Sequence, residues 1–128
     1  MKILLVDDST VMRRIEKKVL ADLGYTDIVE TDNALSAQVK LEAMRIDLIL
    51  LDWNMPGMDG LTFLKTIKAL GAETPVIMVT TEAQKEHIIA ALQAGAASYV
   101  LKPFTPEILQ KRIQDVLQKA NASPCPQS

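Results

Sequence analysis

The chain is predicted to fold as an α/β domain: a five-stranded parallel sheet with helices on both faces, a (βα)5 three-layer sandwich. Two observations predict it. Five short apolar runs alternate with five stretches of helical periodicity along 128 residues. The runs are near-continuous in Val, Ile and Leu, as strands buried on both faces are, instead of alternating apolar with polar. Four of the five runs are followed by Asp7-Asp8, Asp52, Thr80-Thr81 and Lys102, which bears on where a ligand could bind.

Each element has its own signal. Residues 2–6 form the first strand, and Ser9 or Thr10 can cap a helix in which Met12, Ile15, Val19 and Leu23 recur at helical spacing. Gly24 stops it. Ile28 and Val29 lie in a short second strand, and Asp32 or Asn33 can cap a helix with Ala34, Ala37, Leu41 and Met44 on one face. Residues 47–51 are the third strand; Leu61, Leu64 and Ile67 mark the third helix, ended near Gly71. Pro75 opens the fourth strand, residues 76–79, at a position where its missing N–H matters little. The fourth helix is expected to begin near Glu82 and to carry Ile88, Ile89 and Leu92. Residues 99–101 form the fifth strand, and Pro106 suits the first turn of a fifth helix carrying Ile108, Leu109, Ile113, Val116 and Leu117. Residues 120–128 contain two prolines and no period, so they read as a disordered tail behind a domain spanning 1–119.

Composition narrows the function classes. The chain is 48% hydrophobic but only 4% aromatic, so its core is aliphatic. A net charge of −2 gives no drive toward nucleic acid or anionic membrane. Arg13, Arg14, Lys17 and Lys18, with Glu16 among them, read as a solvated helix face. His87 reads as a surface residue, and Met44, Met55, Met58 and Met78 as core and loop filling. Cys125 stands alone, which fits a reducing compartment. No apolar stretch approaches membrane-span length, and a strand follows Met1 too closely for a signal peptide. The expectation is a cytoplasmic monomer.

The strand ends carry the chemistry. Open α/β sheets bind ligands beyond the carboxyl ends of their strands. There the first strand offers Asp7 and Asp8, the third Asp52, the fourth Thr80 and the fifth Lys102. Three clustered carboxylates repel one another unless a cation or proton relieves them. Together with carbonyls and water they are the hard oxygen ligands that Mg²⁺ accepts, alongside phosphate oxygens. Lys102 supplies a compact positive charge and Thr80 a hydroxyl. A carboxylate can attack phosphorus to give an acyl phosphate.

These residues resemble the receiver domain of two-component response regulators, a flavodoxin-like fold. The resemblance is carried by Asp7-Asp8, by Leu50-Leu51-Asp52-Trp53-Asn54-Met55-Pro56, by Thr80 and by Lys102-Pro103-Phe104, and it spans residues 2 to 119. Asp52-Trp53-Asn54, Met78-Val79-Thr80, Ile88-Ile89-Ala90-Ala91 and Ala94-Gly95-Ala96 are similar in particular to the stand-alone chemotaxis regulators of that family. The resemblance implies strand order 2-1-3-4-5. It implies Asp52 as phosphoacceptor, and Mg²⁺ held by Asp8, Asp52 and the Asn54 carbonyl, with Asp7 acting through water. Lys102 and Thr80 would stabilise the phosphoryl group, and Tyr99 would turn inward as Thr80 moves. The Lys102–Pro103 bond would be cis, and Trp53 a partly exposed ring beside the metal. Asn54 and Glu82 would tune dephosphorylation, while Thr81 stands where chemotaxis regulators commonly have Ala. Ala83, Ile88, Tyr99 and Arg112 would form the output face. Implied partners are a histidine kinase, a flagellar motor switch protein and a phosphatase. Self-phosphorylation from small acyl phosphates and autodephosphorylation are implied, without turnover of an external substrate.

Other functions fit less well. A haloacid-dehalogenase-type phosphatase also attacks with a strand-end Asp but needs an acid two residues later, where this chain has Asn54. A flavodoxin-like cofactor binder wants glycine and backbone donors after the first strand, where Asp7 and Asp8 stand. A receiver acting as a phosphate sink, or regulating a non-motility partner, uses the same site residues.

Overall fold

The computed structural model describes residues 1–122. Its elements are β1 (Lys2–Val6), α1 (Thr10–Asp22), β2 (Asp27–Thr31), α2 (Ala34–Ala43), β3 (Leu48–Leu51), α3 (Gly60–Ala69), β4 (Val76–Thr80), α4 (Lys85–Gln93), β5 (Ser98–Leu101) and α5 (Pro106–Ala122). The strands form one sheet in the order β2-β1-β3-β4-β5, every neighbouring pair parallel. This is the expected fold class. α5 runs three residues past the expected boundary at 119, and residues 123–128 of the expected tail lie outside the described residues.

Successive strand residues point to opposite faces, so each strand feeds two cores. Leu4, Val6, Ile49, Leu51 and Met78 pack on one face with Phe63, Leu64 and Ile67 of α3 and with Ala34 and Ala37 of α2. Ile3, Leu5, Leu48, Leu50, Ile77 and Val79 pack on the other with Val19 and Leu20 of α1 and Leu109 and Ile113 of α5. Each fully buried Leu or Ile stabilises by roughly 1.5–3 kcal/mol.

Side chains start four helices by accepting from exposed backbone N–H groups: Ser9 from Met12, Asn33 from Ser36, Asp59 from Thr62 and Thr105 from Ile108. α4 has no such cap; it begins after Gln84, not near Glu82 as expected. The reason is tertiary. The Glu82 carbonyl and carboxylate are both engaged by other elements, which holds 81–84 out of the helix.

Three helix faces also differ from expectation. On α1, Ile15 is 44% exposed while Glu16 is 1% exposed, so Glu16 belongs to the covered face, not to the solvated one. The buried stripe runs through Glu16, Val19 and Leu20, about 100° away from Ile15. On α4, Ile89 and Leu92 are exposed and Ala91 is the buried residue. Ile108 of α5 is exposed too, where Leu109 and Ile113 are buried.

Candidate functional site

Strand register builds the site. Val6 pairs with Leu51, so the next residues, Asp7 and Asp52, emerge side by side. Thr80 pairs with Leu101, which brings Lys102 out beside them, its N–H donating to the Thr80 carbonyl at 2.8 Å. Carboxylate oxygens of Asp7, Asp8 and Asp52 all lie within 4.8 Å of one another. Asp7 and Asp52 are buried and Asp8 is exposed, so the cluster opens to solvent at one corner.

One ammonium serves these acids. Lys102 Nζ donates to Asp7 Oδ2 at 2.8 Å and lies 3.6 Å from Asp52 Oδ1, so its tighter partner is Asp7. Burial works against the charged lysine, but the Asp7 hydrogen bond and the charges of Asp52, Asp7 and Glu16 outweigh it and hold its pKa above the usual value. Asp7 is further oriented by the Ser9 N–H, which donates to Oδ1 at 2.9 Å, and by Arg13, whose guanidinium donates to the Asp7 carbonyl. Burial raises the Asp52 pKa to about 6; Lys102 opposes the rise, Asp7 adds to it, an Asn54 backbone hydrogen bond opposes it and Asp8 adds again. Negative charge therefore exceeds what Lys102 neutralises. All the donors are hard oxygens with an open corner, so the cluster fits a small hard divalent cation.

The loop after β3 is folded tightly against Asp52. A Cβ on Gly60 would lie 2.1 Å from the Asp52 carbonyl oxygen, and the Gly60 N–H donates to the Trp53 carbonyl at 2.7 Å. Only glycine allows that approach. Trp53 is thereby tucked in at 8% exposure, which corrects the expectation of a partly exposed ring. Its indole meets the His87 ring edge-on, centroids 5.0 Å apart and planes at 71°.

A second set of contacts converges on Glu82. Asn54 Nδ2 donates to Glu82 Oε2 at 3.0 Å, and His87 Nδ1 lies 3.3 Å from Oε1. The Tyr99 hydroxyl donates to the Glu82 carbonyl at 2.6 Å, and the Glu82 N–H donates to Thr80 Oγ1 at 3.3 Å. Burial, with the Glu82 charge adding, pushes the Tyr99 phenol up to about 12, so it stays a donor. His87 lies at the surface as expected, half-buried, but its ring packs on Trp53, and its Nδ1 sits near Glu82 without making a hydrogen bond. A lone His on an apolar helix offered no signal for that pairing.

The structure thus brings Asp7, Asp8, Asp52 and Lys102 together, with buried Thr80 at the neighbouring strand end. Asn54 and Glu82 touch each other, and Tyr99 joins them from β5. Ala83 and Arg112 are exposed, Ile88 and Tyr99 half-buried. The Lys102–Pro103 peptide is cis. Sequence reasoning missed one more residue: Glu16, buried within reach of the charges of Asp7, Lys102 and Asp52. Among the described residues, no helix is long and apolar enough to cross a membrane.

Comparison with known proteins gives the family and the fold. Residues 3–114 match the response regulator receiver domain. The chain is 44% identical over 123 residues to chemotaxis protein CheY of Pseudomonas aeruginosa, covering 94% of this chain and 99% of the relative. It is 46% identical over 120 residues to chemotaxis protein CheY1 of Helicobacter pylori, covering 91% and 97%. Among solved structures, Vibrio cholerae chemotaxis protein CheY4 superposes with a TM-score of 0.82 at 36% identity, covering 90% of this chain and 97% of that one. A CheY-like receiver domain protein from Methanospirillum hungatei gives 0.86 at 32%, covering 94% and 95%. With three carboxylates and a lysine meeting where four strand ends converge, and relatives matched along nearly their whole length, the chain belongs to the response regulator receiver domain family.

Proposed function

We propose that this chain is a single-domain response regulator whose Asp52 accepts a phosphoryl group, and that it serves chemotaxis. The carrying observation is the meeting of three carboxylates and Lys102 at one sheet edge. Asp52 Oδ attacks phosphorus; the new O–P bond forms as the P–O bond to a small acyl phosphate, or the P–N bond to a kinase phosphohistidine, breaks. The leaving group takes the bonding pair, and an ionised Asp52 has no proton to lose. Asp8, Asp52 and the Asn54 carbonyl would hold Mg²⁺, with Asp7 reaching it through water; when bound it neutralises carboxylate and phosphoryl charge.

The chain's own residues do the rest. Lys102, poised between Asp7 and Asp52, turns its ammonium to the phosphoryl oxygens. Thr80 leaves its contact with the Glu82 N–H to donate to the same group. Tyr99 already reaches inward to the Glu82 carbonyl, which supports its role as the switch side chain. Water attack on phosphorus returns Asp52 and releases phosphate, and the Asn54–Glu82 bond restrains the two residues that border that path. The face of Ala83, Ile88, Tyr99 and Arg112 would carry the change to a partner. That the relatives are chemotaxis proteins supports a histidine kinase as donor, the flagellar motor switch as target and a phosphatase as terminator, in the cytoplasm.

The test is phosphate incorporation from acetyl phosphate with Mg²⁺, read by intact mass, for the wild type and Asp52→Asn. One phosphoryl group on the wild type, decaying after donor removal and absent from the variant, is expected. Incorporation at the wild-type rate in Asp52→Asn would place the acceptor elsewhere.

A further inference from the structure

His87 touches both loops that flank the acceptor, yet the chemistry above makes no use of it. It sits in the first turn of α4, and its ring meets Trp53, the residue after Asp52, edge-on with centroids 5.0 Å apart. On its other side lies Glu82, two residues after Thr80, with Oε1 3.3 Å from Nδ1. That nitrogen is closed to solvent and makes no hydrogen bond. Buried ring nitrogens normally have a hydrogen-bond partner, and one that lacks it favours any arrangement that supplies one. The helix that carries the ring is loosely tied: Gln84 gives it no side-chain cap, and Ala91 is its buried residue. Ile88, the next residue along, belongs to the proposed output face.

We propose that His87 is a positioning residue that acts through Glu82, carrying the state of the acceptor site into the first turn of α4. The inference rests on the phosphoryl-acceptor reading. In this structure Glu82 is pinned at its N–H by Thr80 Oγ1, at its carbonyl by the Tyr99 hydroxyl and at Oε2 by Asn54. Pinned so, its remaining oxygen Oε1 stands near Nδ1 but out of line for a hydrogen bond. When Thr80 turns to a phosphoryl group, the first of these contacts is released. A small shift of Glu82 then lets Nδ1–H donate to Oε1, and the ring, still seated on Trp53, draws α4 with it. Coupling between distant faces needs an element with two discrete arrangements, and this side-chain pair supplies one. The route enters α4 from the loops after β3 and β4, whereas Tyr99 reaches Glu82 from β5.

The test follows wild type, His87→Phe and His87→Asn by NMR at one pH, in Mg²⁺ with and without excess acetyl phosphate. Phe keeps a ring against Trp53 without a nitrogen; Asn restores a side-chain N–H near the place of Nδ1 without the ring. Intact mass should show all three proteins taking up one phosphoryl group at the same rate. In the wild type, phosphorylation should bring out a protected Nδ1 proton on His87 and shift the amide resonances of Ile88 and Leu92. That proton is read in the wild type, so it needs no variant to fold. In His87→Phe the amide shifts should fall by about half, the remainder carried by the Tyr99 bond to the Glu82 carbonyl. His87→Asn should recover most of the loss, which a role in ring packing alone would not allow. Full-sized amide shifts in His87→Phe, no recovery in His87→Asn, or a wild-type Nδ1 unchanged on phosphorylation would overturn the proposal. If no protein gained mass, the acceptor reading itself would fall, and this role for His87 with it.

Discussion

At the end of β3, Asp52 is held near pKa 6, burial raising it, Lys102 opposing and Asp7 adding to the rise. An acid whose folded pKa exceeds its unfolded value makes the fold less stable as pH climbs from the unfolded to the folded value. For Asp52 that window runs from 3.8 to about 6, and the loss is complete at neutrality. Asp52→Asn removes it, so at pH 7 the variant should be more stable than wild type by about 1–2 kcal/mol, allowing for solvent screening at the open edge. Urea unfolding checks this, and the gain should shrink toward zero near pH 4. Glu16 behaves the same way over a wider window, from 4.5 to about 8. Glu16→Met should therefore gain stability progressively across that range, reaching on the order of 3 kcal/mol at pH 8. A pH-independent difference between Met and Glu would mean that Glu16 is already charged, or already neutral, throughout. Asp52 was legible because Asp7, Asp8, Thr80 and Lys102 end other strands at the same sheet edge, whereas a lone Asp after an apolar strand is more often a helix cap or turn residue. Glu16 was not, because its neighbours Arg14, Lys17 and Lys18 are solvated and only the packing against the sheet and α5 decides which way the helix turns.

Between β3 and α3 the backbone path itself defines the site. The Cβ of Gly60→Ala would sit 2.1 Å from the Asp52 carbonyl oxygen and 2.8 Å from the Trp53 Cα. Both are backbone atoms, so the loop must move and cannot merely re-rotamer. A loss of about 3 kcal/mol is expected, with impaired phosphate uptake, because the moved atoms belong to the acceptor residue and its neighbour. Gly57→Ala is the contrast. Its φ of +79 is unfavourable for alanine, but a Cβ there meets nothing within 4 Å. It should cost only about 1 kcal/mol and leave acceptance intact. Thermal melts and intact-mass phosphorylation of the two variants separate close approach from turn conformation. Element centres were legible from periodicity and caps, as Ser9, Asn33 and Asp59 illustrate. The start of α4 was not, since Glu82 is held by Asn54 and Tyr99, two residues distant in the chain. Trp53 and His87 are another such pair, joined only once β3 and β4 are neighbours.

Over the whole molecule, register does what no single residue can. The unfolded chain has no means of holding Asp8 and Asp52 together, whereas parallel pairing of β1 with β3 brings the acid oxygens within 4.8 Å. A cation bound there binds the native state alone, so it should stabilise the entire fold. The gain is about 1.4 kcal/mol at ten times its dissociation constant and about 2.7 at a hundred times. The repulsion that costs stability without a cation is what the cation relieves, so fold and function oppose each other at this edge. Melting at pH 7 in rising Mg²⁺ should therefore shift the transition upward, while NaCl at matched ionic strength should not, since screening acts on exposed charges far more than on buried ones. Asp8→Asn leaves Asp52 and Lys102 in place and removes only the exposed acid of the cluster. Its melting temperature should rise much less with Mg²⁺ than that of wild type. An equal Mg²⁺ shift in Asp8→Asn would move the cation away from this edge, and the charge imbalance around Asp52 would then have to be met by protons alone.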